Sequence, residues 1–416
     1  PDAGAQQART RALAESEGWL YEELDGDEAL FDALVQGRWD HPAILVVRPG
    51  ENIVPAAGAE VLAAGRDFQA SYRHALERFR SRGPAAQCRR GGLGLGVDAG
   101  GTFTDSVIYS FDERKVLSKS KAPTTHEDLA VGVAESIAGL DPGLLKRVSR
   151  VALSTTLATN AIVEGRGQPV GLMLMGVDPA DLDRFPFAHK RLIPGRMSIE
   201  GRELEPLDPE ATAHAAAELA REGAAALAVS AYAAVIDPRH EKEAARLAHE
   251  ATGLPVVCGH ELARTLNLFD RGVTAALNAR LIPLVQDLVR SVKRCLDRHG
   301  LAGVPLMVVC GDGTQMLDRY AERFPVEQIL SGPAASVIGA MVLCGRRDLV
   351  MADMGGTTLD VAVVSGGEPV IDREGARVGA FQTCVRAMRV NTVGLGGDSE
   401  VRFGDWPRLR VGPRRV

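Results

Sequence analysis

The chain has 416 residues, 45% of them hydrophobic, which is enough for two domains with well-packed cores. Its net charge of -6 excludes the strongly basic surface with which proteins hold nucleic acid or an anionic membrane by charge alone. No apolar run approaches the roughly 18 residues of a membrane span, so we expect neither nucleic acid nor a membrane among its partners. Six scattered cysteines without a Cys-x-x-Cys pair indicate buried thiols in a reducing compartment, and we expect a cytoplasmic protein.

Residues 1–90 are predicted to form a small α/β extension. Helical stretches are expected at about 5–17 and 57–82, with an apolar strand at 43–47 between them. The glycine-rich stretch 83–92 is typical of a linker, so the main body of the protein is expected to start near residue 91.

The segment 98–105 reads DAGGTFTD and is repeated at 353–360 as DMGGTTLD, a constant offset of 255 residues from 98 to 353. Each copy lies between two apolar runs, which predicts two strands joined by a Gly-Gly turn. Such a turn brings backbone N–H groups close to an anion, and its threonine adds a hydroxyl donor. The leading aspartate of each copy can hold the hydrated Mg²⁺ that accompanies a nucleotide. Two facing hairpins would therefore clamp Mg-ATP between two lobes, which we place at 91–269 and 270–416.

The predicted site residues follow from this interpretation. Asp98 and Asp353 are the expected Mg²⁺ ligands and, with Asp105, the expected catalytic residues. Asp105 and Asp360 are expected to brace the hairpins by accepting backbone N–H bonds, with a catalytic-base role as the alternative. A third glycine cluster after the apolar segment 390–393 is interpreted as the loop against which adenosine lies, with a plain loop as the alternative. The predicted cofactor-binding residues are Gly100, Gly101, Thr102, Thr104, Gly355, Gly356, Thr357, Thr358, Gly394, Gly396 and Gly397.

Between the two hairpins, helices and strands alternate with clear start and stop signals. Asp208-Pro209 and Asp237-Pro238 predict helix starts, and Gly223 and Gly253 predict the ends of those helices. A longer helix is expected at about 270–298 with a bend at Pro283, and strands are expected at 224–231, 255–258 and 305–310. This rhythm predicts helices packed on a buried, partly parallel sheet. Ser331-Gly332-Pro333 predicts the cap of a further helix, rich in small residues, at 334–344.

Three polar residues are candidates for the substrate side of the site. The hydroxyl-rich run 154–160 fits an ordinary polar turn and a ligand-facing loop equally well. Thr156 and Asn160 in this run, and Asp312 in a glycine-rich turn, are our candidates, with capped loop ends as the alternative for all three. The nine histidines are dispersed, and residues such as His240 and His260 are expected to be satisfied structural residues rather than ligands.

One competing motif is rejected. Residues 94–99 match the dinucleotide fingerprint G-x-G-x-x-A, but the segment leads into a Gly-Gly-Thr turn and a strand instead of a helix. A Rossmann-type site is therefore not expected.

Five motifs occur in the order found in the hydantoinase/oxoprolinase family, and residues 93–416 resemble the subunit called hydantoinase A. The motifs lie at 100–105, 154–161, 331–334, 353–357 and 392–397. The resemblance implies a bilobal actin-like ATPase fold, a duplicated ribonuclease H-like α/β architecture, here with a small α/β N-terminal extension. Leu359, Asp398 and the stretch 310–313 differ from the residues that family members usually carry.

The resemblance also implies a function. It implies ATP-dependent phosphorylation of a cyclic amide or ketone oxygen in a small-molecule substrate, for ring-opening hydrolysis or carboxylation, together with a hydantoinase B-like partner subunit in an oligomer. Two other functions use the same clamp and stay open: an ATP-driven activator or reactivase of a partner enzyme, and a small-molecule kinase. A purely structural role of the two hairpins is the remaining alternative.

Overall fold

The computed structural model describes residues 20–25, 43–48, 91–125, 129–356, 358–403 and 409–415. The chain divides into two compact units, Pro1–Cys88 and Arg89–Val416. In the first unit, strands β1 (Leu20–Asp25) and β2 (Ala43–Arg48) pair in parallel. Strand β2 covers the strand predicted at 43–47, whereas the helices predicted at 5–17 and 57–82 lie outside the described residues.

The described part of the second unit is built from many short strands and a smaller number of helices. Its strands are β3 (Leu93–Ala99), β4 (Phe103–Ser110), β5 (Lys115–Pro123), β6 (Val148–Thr155), β7 (Val170–Met175), β8 (Lys190–Leu192), β9 (Arg196–Met197), β10 (Glu203–Glu205), β11 (Ala226–Ala231), β12 (Val256–Cys258), β13 (Leu306–Val309), β14 (Gln315–Leu317), β15 (Leu349–Met354), β16 (Leu359–Ser365), β17 (Glu368–Pro369), β18 (Ile371–Asp372), β19 (Arg377–Val378), β20 (Phe381–Gln382), β21 (Ala387–Met388), β22 (Val390–Val393), β23 (Ser399–Phe403) and β24 (Leu409–Arg415).

The helices of this unit range from four to 31 residues. None of those formed by the described residues is long and apolar enough to cross a bilayer. They are α1 (Leu129–Ala138), α2 (Pro142–Leu145), α3 (Leu157–Val163), α4 (Pro209–Arg221), α5 (Arg239–Thr252), α6 (Gly259–Leu262), α7 (Leu268–Arg298), α8 (Asp318–Arg323) and α9 (Ser331–Cys344), with 3-10 turns at Pro179–Arg184 and Pro325–Gln328.

The first hairpin belongs to a six-stranded sheet with the order β14-β13-β6-β3-β4-β5. Strands β3, β4 and β5 form an antiparallel meander, while β6 and β13 run parallel to β3. Helices α1 and α7 cover this sheet with apolar side chains such as Val133, Ile137 and Val289. Because β3, β6 and β13 point the same way, their carboxyl ends meet at one edge of the sheet, where the first Gly-Gly turn lies.

A second sheet is inserted between β6 and β13. Strands β12-β11-β7-β8 are all parallel, and β7 and β11 are buried along their whole length, as expected for a sheet covered on both faces. The helix signals around it are confirmed. Asp208 caps α4 by accepting a hydrogen bond from the N–H of Ala211, and Gly253 ends α5 in the left-handed conformation, with φ of 70°.

The second hairpin belongs to a separate sheet in which β16 pairs with β15 on one side and with β17 and β22 on the other. One face of this sheet packs on α9 through Met351, Ala362 and Val364. The boundary predicted at residue 270 does not separate the two hairpin sheets, because β13 pairs with β6 of the first sheet and α7 packs on the first sheet's core. After the inserted sheet, the chain rejoins the first sheet at β13, and no local sequence pattern predicts this pairing.

The prediction of buried thiols is confirmed for Cys258, Cys295 and Cys310. It is wrong for Cys344, which is exposed in the last turn of α9, while Cys384 is half-buried. Cys88 lies outside the described residues.

Helix α1 sits unusually close to the first hairpin, which makes Gly132 a sensitive position. A Cβ atom at residue 132 would lie 2.9 Å from the carbonyl oxygen of Pro123 and 2.9 Å from Thr104 Oγ1. Gly132→Ala gains about 1 kcal/mol of helix propensity, but overpacking costs about 1–3 kcal/mol. We therefore expect a lower urea midpoint.

Gly339→Ala in α9 is the matched control, since a Cβ there would meet nothing within 4 Å. The control variant should gain about 0.5–1 kcal/mol of stability. Equal midpoints for both variants would contradict the close approach of α1 to the sheet.

Candidate functional site

The two sequence repeats fold into the same local structure. In the first hairpin Asp98 lies directly across from Asp105, and in the second Asp353 lies directly across from Asp360. Both turns close with the same backbone bond. The N–H of Gly100 donates to the carbonyl of Phe103 at 3.1 Å, and the N–H of Gly355 donates to the carbonyl of Thr358 at 2.9 Å. The duplication in sequence is therefore a duplication of three-dimensional structure.

These closing bonds correct the expectation that all four glycine N–H groups face the anion. The N–H groups of Gly100 and Gly355 are engaged within the turns, whereas Gly101 and Gly356 are exposed and take no part in these closing bonds. The space beyond Gly101 is open, because a Cβ built there would meet no atom within 4 Å. Thr102 is exposed beside it, and Thr357 lies outside the described residues.

Asp98 carries the most perturbed carboxyl group of the site. Burial raises its pKa above the usual range, and the nearby carboxylates of Asp105 and Asp353 raise it further. The hydroxyl of Ser154, which donates to Asp98 Oδ1, and the ammonium of Lys121 act in the opposite direction. The charge of Asp353 contributes to this shift, so the leading aspartates of the two hairpins interact electrostatically.

Helix α9 connects the two hairpins near their leading aspartates. Near its middle, Ser336 Oγ donates to Asp353 Oδ2 at 2.9 Å. At its start, Ser331 Oγ donates to the carbonyl of Thr155 at 2.9 Å, next to Ser154 at the end of β6. One helix therefore touches the strand that orients Asp98 and also orients Asp353 directly.

The start of α9 differs from the prediction that Ser331 and its neighbours cap it. The helix begins at Ser331, and the preceding residue, Leu330, adopts a left-handed conformation with φ of 59° and no side-chain cap. The N–H of Leu330 donates to Thr159 Oγ1 at 2.9 Å. Ser331 does not cap the helix because its hydroxyl is engaged by the backbone of Thr155.

The hydroxyl groups of the run 154–160 make several different contacts. Ser154 reaches Asp98, whereas Thr155 and Thr159 hold the start of α9. The candidate substrate residues Thr156 and Asn160 bond to each other, with Asn160 Nδ2 3.1 Å from Thr156 Oγ1. The run is therefore neither a plain turn nor purely a ligand loop.

The third substrate candidate, Asp312, caps its own turn. Its Oδ1 accepts hydrogen bonds from the N–H of Thr314 at 3.0 Å and from Thr314 Oγ1 at 2.6 Å. Its loop follows β13, so it lies at the same edge of the sheet as the first turn. The structure supports the capped-loop alternative for Asp312.

Two predicted roles are wrong in detail. Thr104 was expected to bind the cofactor, but it is fully buried and its hydroxyl pairs with Thr124 Oγ1 at 3.1 Å. The rear aspartates brace the hairpins through side chains instead of backbone N–H groups. Asp105 pairs with Lys121 Nζ at 2.7 Å, and Asp360 accepts from Thr392 Oγ1 at 2.6 Å. Thr358 is half-buried, and its carbonyl closes the second turn.

The third glycine cluster is attached to the second turn. The N–H of Gly397 donates to the carbonyl of Gly355 at 2.9 Å, and the N–H of Asp398 donates to the carbonyl of Gly356 at 2.8 Å. Gly394 is exposed, whereas Gly396 is buried and its N–H donates to Ser399 Oγ at 2.9 Å. The cluster predicted to lie against adenosine is therefore joined by backbone hydrogen bonds to the second Gly-Gly turn.

Sequence reasoning missed the two serines that orient the leading aspartates. Ser154 lies within a hydroxyl-rich run that was recognised, but the run did not reveal which hydroxyl faces Asp98. Ser336 lies inside a small-residue helix with no local signal of its own. Each contact joins two different elements, β6 with β3 and α9 with β15.

Comparison with known protein families agrees with this arrangement. The profile of the Hydantoinase/oxoprolinase N-terminal region matches residues 94–252, and that of Hydantoinase/oxoprolinase matches residues 271–416. The chain belongs to the hydantoinase/oxoprolinase family. The resemblance seen in the sequence motifs is thereby confirmed.

Individual members of the hydantoinase/oxoprolinase family show similar agreement. Caprolactamase subunit alpha of Pseudomonas jessenii is 28% identical over 77% of this chain and 50% of its own length. Acetophenone carboxylase gamma subunit of Aromatoleum aromaticum is 28% identical over 77% of this chain and 49% of its own length. The chain thus spans about half the length of the relatives that it matches.

Two solved structures establish the fold. The ATP-dependent caprolactamase of Pseudomonas jessenii matches with a TM-score of 0.62 and 26% identity, over 78% of this chain and 51% of its own. Nucleotide-free acetone carboxylase matches with a TM-score of 0.65 and 20% identity, over 78% and 51%. The predicted actin-like ATPase fold of this hydantoinase/oxoprolinase family member is confirmed.

The raised pKa of Asp98 predicts a pH-dependent cost to stability. The folded state binds the Asp98 proton more tightly than the unfolded chain does, so folding loses stability as the pH rises from the unfolded pKa through the folded pKa. The cost persists at neutral pH. We expect Asp98→Asn to raise the urea midpoint at pH 7, with a gain that shrinks as the pH falls to about 3, where the carboxyl is protonated in both the folded and the unfolded chain.

Asp183→Asn, at an exposed position outside the hairpins, serves as the control and should change neither midpoint. A gain for Asp98→Asn that is equal at both pH values would show that charge is not its cause.

Proposed function

We propose that this chain is an ATP-dependent hydantoinase/oxoprolinase-like subunit. It activates a cyclic amide or ketone oxygen of a small-molecule substrate by phosphorylation, for ring-opening hydrolysis or carboxylation. The observation that carries the proposal is the pair of matching turns, whose leading aspartates, Asp98 and Asp353, interact electrostatically and are linked through helix α9. The names of the relatives, a caprolactamase and a carboxylase subunit, support the same chemistry.

The carboxylates of Asp98 and Asp353 suit Mg²⁺. Carboxylate oxygens are the ligands that Mg²⁺ prefers, and it is usually bound by one or two carboxylates together with water and phosphate. Burial and two neighbouring carboxylates disfavour the charged form of Asp98, and a divalent cation would offset that repulsion. Asp98 and Asp353 would hold the ion, which would supply charge neutralisation for the phosphate oxygens.

Phosphoryl transfer depends mainly on positioning and on charge stabilisation. Exposed backbone at Gly101 and Gly356 and the hydroxyl of Thr102 would bind the β- and γ-phosphates from the two sides. Ser154 and Ser336 would keep the two leading carboxylates in place. The carbonyl oxygen of the substrate attacks the γ-phosphorus as the bond to ADP breaks. For a cyclic amide, water then adds to the carbonyl carbon, the C–N bond breaks with the nitrogen leaving as the amine, and a second water hydrolyses the resulting acyl phosphate to carboxylate and phosphate.

Other parts of the site take supporting roles in this proposal. The loop that holds Gly394, Gly396 and Gly397 would contact the nucleotide beside the second turn, to which it is hydrogen-bonded. Thr156 and Asn160, close to the first turn, would border the substrate. Because the relatives are named as subunits, a hydantoinase B-like partner chain in an oligomer would complete the enzyme.

The first test is nucleotide binding by the isolated chain. A fluorescent ATP analogue with Mg²⁺ should bind the parent protein, and Asp98→Ala and Asp353→Ala should weaken binding by at least about 10- to 100-fold, which is the range for residues that only orient a metal ligand. Asp183→Ala, an exposed aspartate outside the hairpins, should bind like the parent.

Gly101→Ala separates this proposal from a purely structural role of the hairpins. The fold has room for the new methyl group, so its urea midpoint should match that of the parent. The methyl group would obstruct the phosphate path, so nucleotide binding should fall. Unchanged binding in Gly101→Ala would remove the first turn from the nucleotide site.

The second test concerns the acceptor. Phosphate release from ATP, measured with the isolated chain and with its partner subunit, should rise on addition of a lactam, a hydantoin or a simple ketone. Release that is stimulated only by a partner protein would indicate an ATP-driven activator, and a stable phosphorylated product would indicate a kinase. Either result would contradict the proposed activation chemistry.

A further inference from the structure

A second cluster of reactive groups lies at the carboxyl edge of the inserted parallel sheet, away from both hairpins in the chain. Cys258 is the last residue of β12, His260 lies two residues later in α6, and Glu241 belongs to α5. Ligands of open α/β sheets bind outside the carboxyl ends of the strands. The proposed phosphoryl transfer uses none of these three side chains.

The three side chains converge. Among the described residues, one ligand atom from each of Glu241, Cys258 and His260 lies within 4.8 Å of the others. Glu241 and Cys258 are buried, and the His260 side chain is 14% exposed. Thiolate, imidazole and carboxylate together form a ligand set that suits Zn²⁺, whereas Mg²⁺ and Ca²⁺ favour oxygen alone.

The carboxylate of Glu241 is held firmly in place. Its Oε1 accepts from the N–H of Ala231 at 2.7 Å, and its Oε2 accepts from the N–H of His260 at 2.8 Å. His260 Nδ1 lies 2.6 Å from the same Oε2. An ionised carboxylate has about four lone-pair sites, so a metal ion that displaces the proton between His260 and Glu241 leaves both backbone bonds intact.

We propose that Glu241, Cys258 and His260 bind one zinc ion, with a fourth coordination position open to a solvent molecule or an anion. Three protein ligands and one open position are the pattern of catalytic zinc sites, whereas structural sites are closed by four protein ligands. The inserted sheet would then carry a metal centre of its own.

The charged groups around the cluster are compatible with a bound zinc ion. Arg271 is fully buried beside Glu241, whose carboxylate raises the pKa of the guanidinium against the larger effect of burial, which lowers it. A carboxylate and a thiolate, set against Arg271 and a divalent ion, leave one positive charge in excess. A hydroxide or another anion at the open position balances it.

Ser230 supplies an additional polar group. Its side chain is fully buried, and its Oγ has no hydrogen-bond partner among the described residues. A Cβ at Gly259 would lie 2.9 Å from Ser230 Oγ and 3.4 Å from Glu241 Oε1, so the missing side chain at residue 259 leaves this hydroxyl uncovered toward the cluster. Buried hydroxyls without a partner are rare, and a metal-bound solvent molecule is a suitable one.

The test uses cobalt as a spectroscopic substitute for zinc. The full chain is stripped with a chelator and titrated with Co²⁺ and, separately, with Zn²⁺. We expect one equivalent to bind, with a thiolate-to-cobalt charge-transfer band in the near ultraviolet, and Zn²⁺ to raise the melting temperature. Cys258→Ser should lose the band, and His260→Ala should weaken zinc binding by more than about 100-fold, beyond the range seen for outer residues of metal sites.

Cys295→Ser is the matched control, because Cys295 is a buried free thiol in α7 that packs in an apolar core. This variant should keep the band and the affinity of the parent. A parent protein without the charge-transfer band, or a band that persists in Cys258→Ser, would overturn the proposal. If the variants do not fold, the band and the stoichiometry of the parent still decide. Nucleotide binding is measured in parallel, and its failure leaves the zinc result unaffected.

Discussion

The geometry of the proposed nucleotide site depends on helix α9. Ser331, which bonds to the end of β6, and Ser336, which bonds to Asp353, are five positions apart, which corresponds to about 7.5 Å along a helix axis. Small residues along α9 allow it to lie against both hairpin sheets. A single helix therefore links the end of β6, where Ser154 bonds to Asp98, to the leading carboxylate of the second hairpin.

The two hairpins place carboxylates close together, so their negative charges repel each other. Asp98 faces two other carboxylates in a partly buried position, which is unfavourable for the protein alone. Ser154 and Lys121 offset part of the repulsion. Such conflicts persist where binding a ligand compensates for them, and they mark functional sites more often than structural ones.

The sequence predicts local features well and long-range ones poorly. The two turns, the cap at Asp208 and the helix end at Gly253 each depend on a few adjacent residues, and all of them fold as expected. The pairing of β13 with β6 joins Leu306 to Val151 across the whole insertion, so the boundary at residue 270 could not be placed from local patterns.

Errors within the site have similar physical causes. Thr104 was assigned to the ligand because it follows the turn, although the alternation of β4 puts it on the same buried face as Ser106 and Ile108. Ser331 looked like a helix cap, but a partner from another strand engages its hydroxyl. The convergence of Glu241, Cys258 and His260 depends on three different elements, so scattered positions in the sequence gave no indication of it.

The hydrogen bond from the N–H of Gly397 to the carbonyl of Gly355 also determines the direction of a backbone donor in the second turn. In a trans peptide, the carbonyl of one residue and the N–H of the next point to opposite sides of a single plane. Because the Gly355 carbonyl points toward Gly397, the N–H of Gly356 must point away from that loop. The glycine loop 394–397 can in this way fix the direction of a backbone donor in the neighbouring turn.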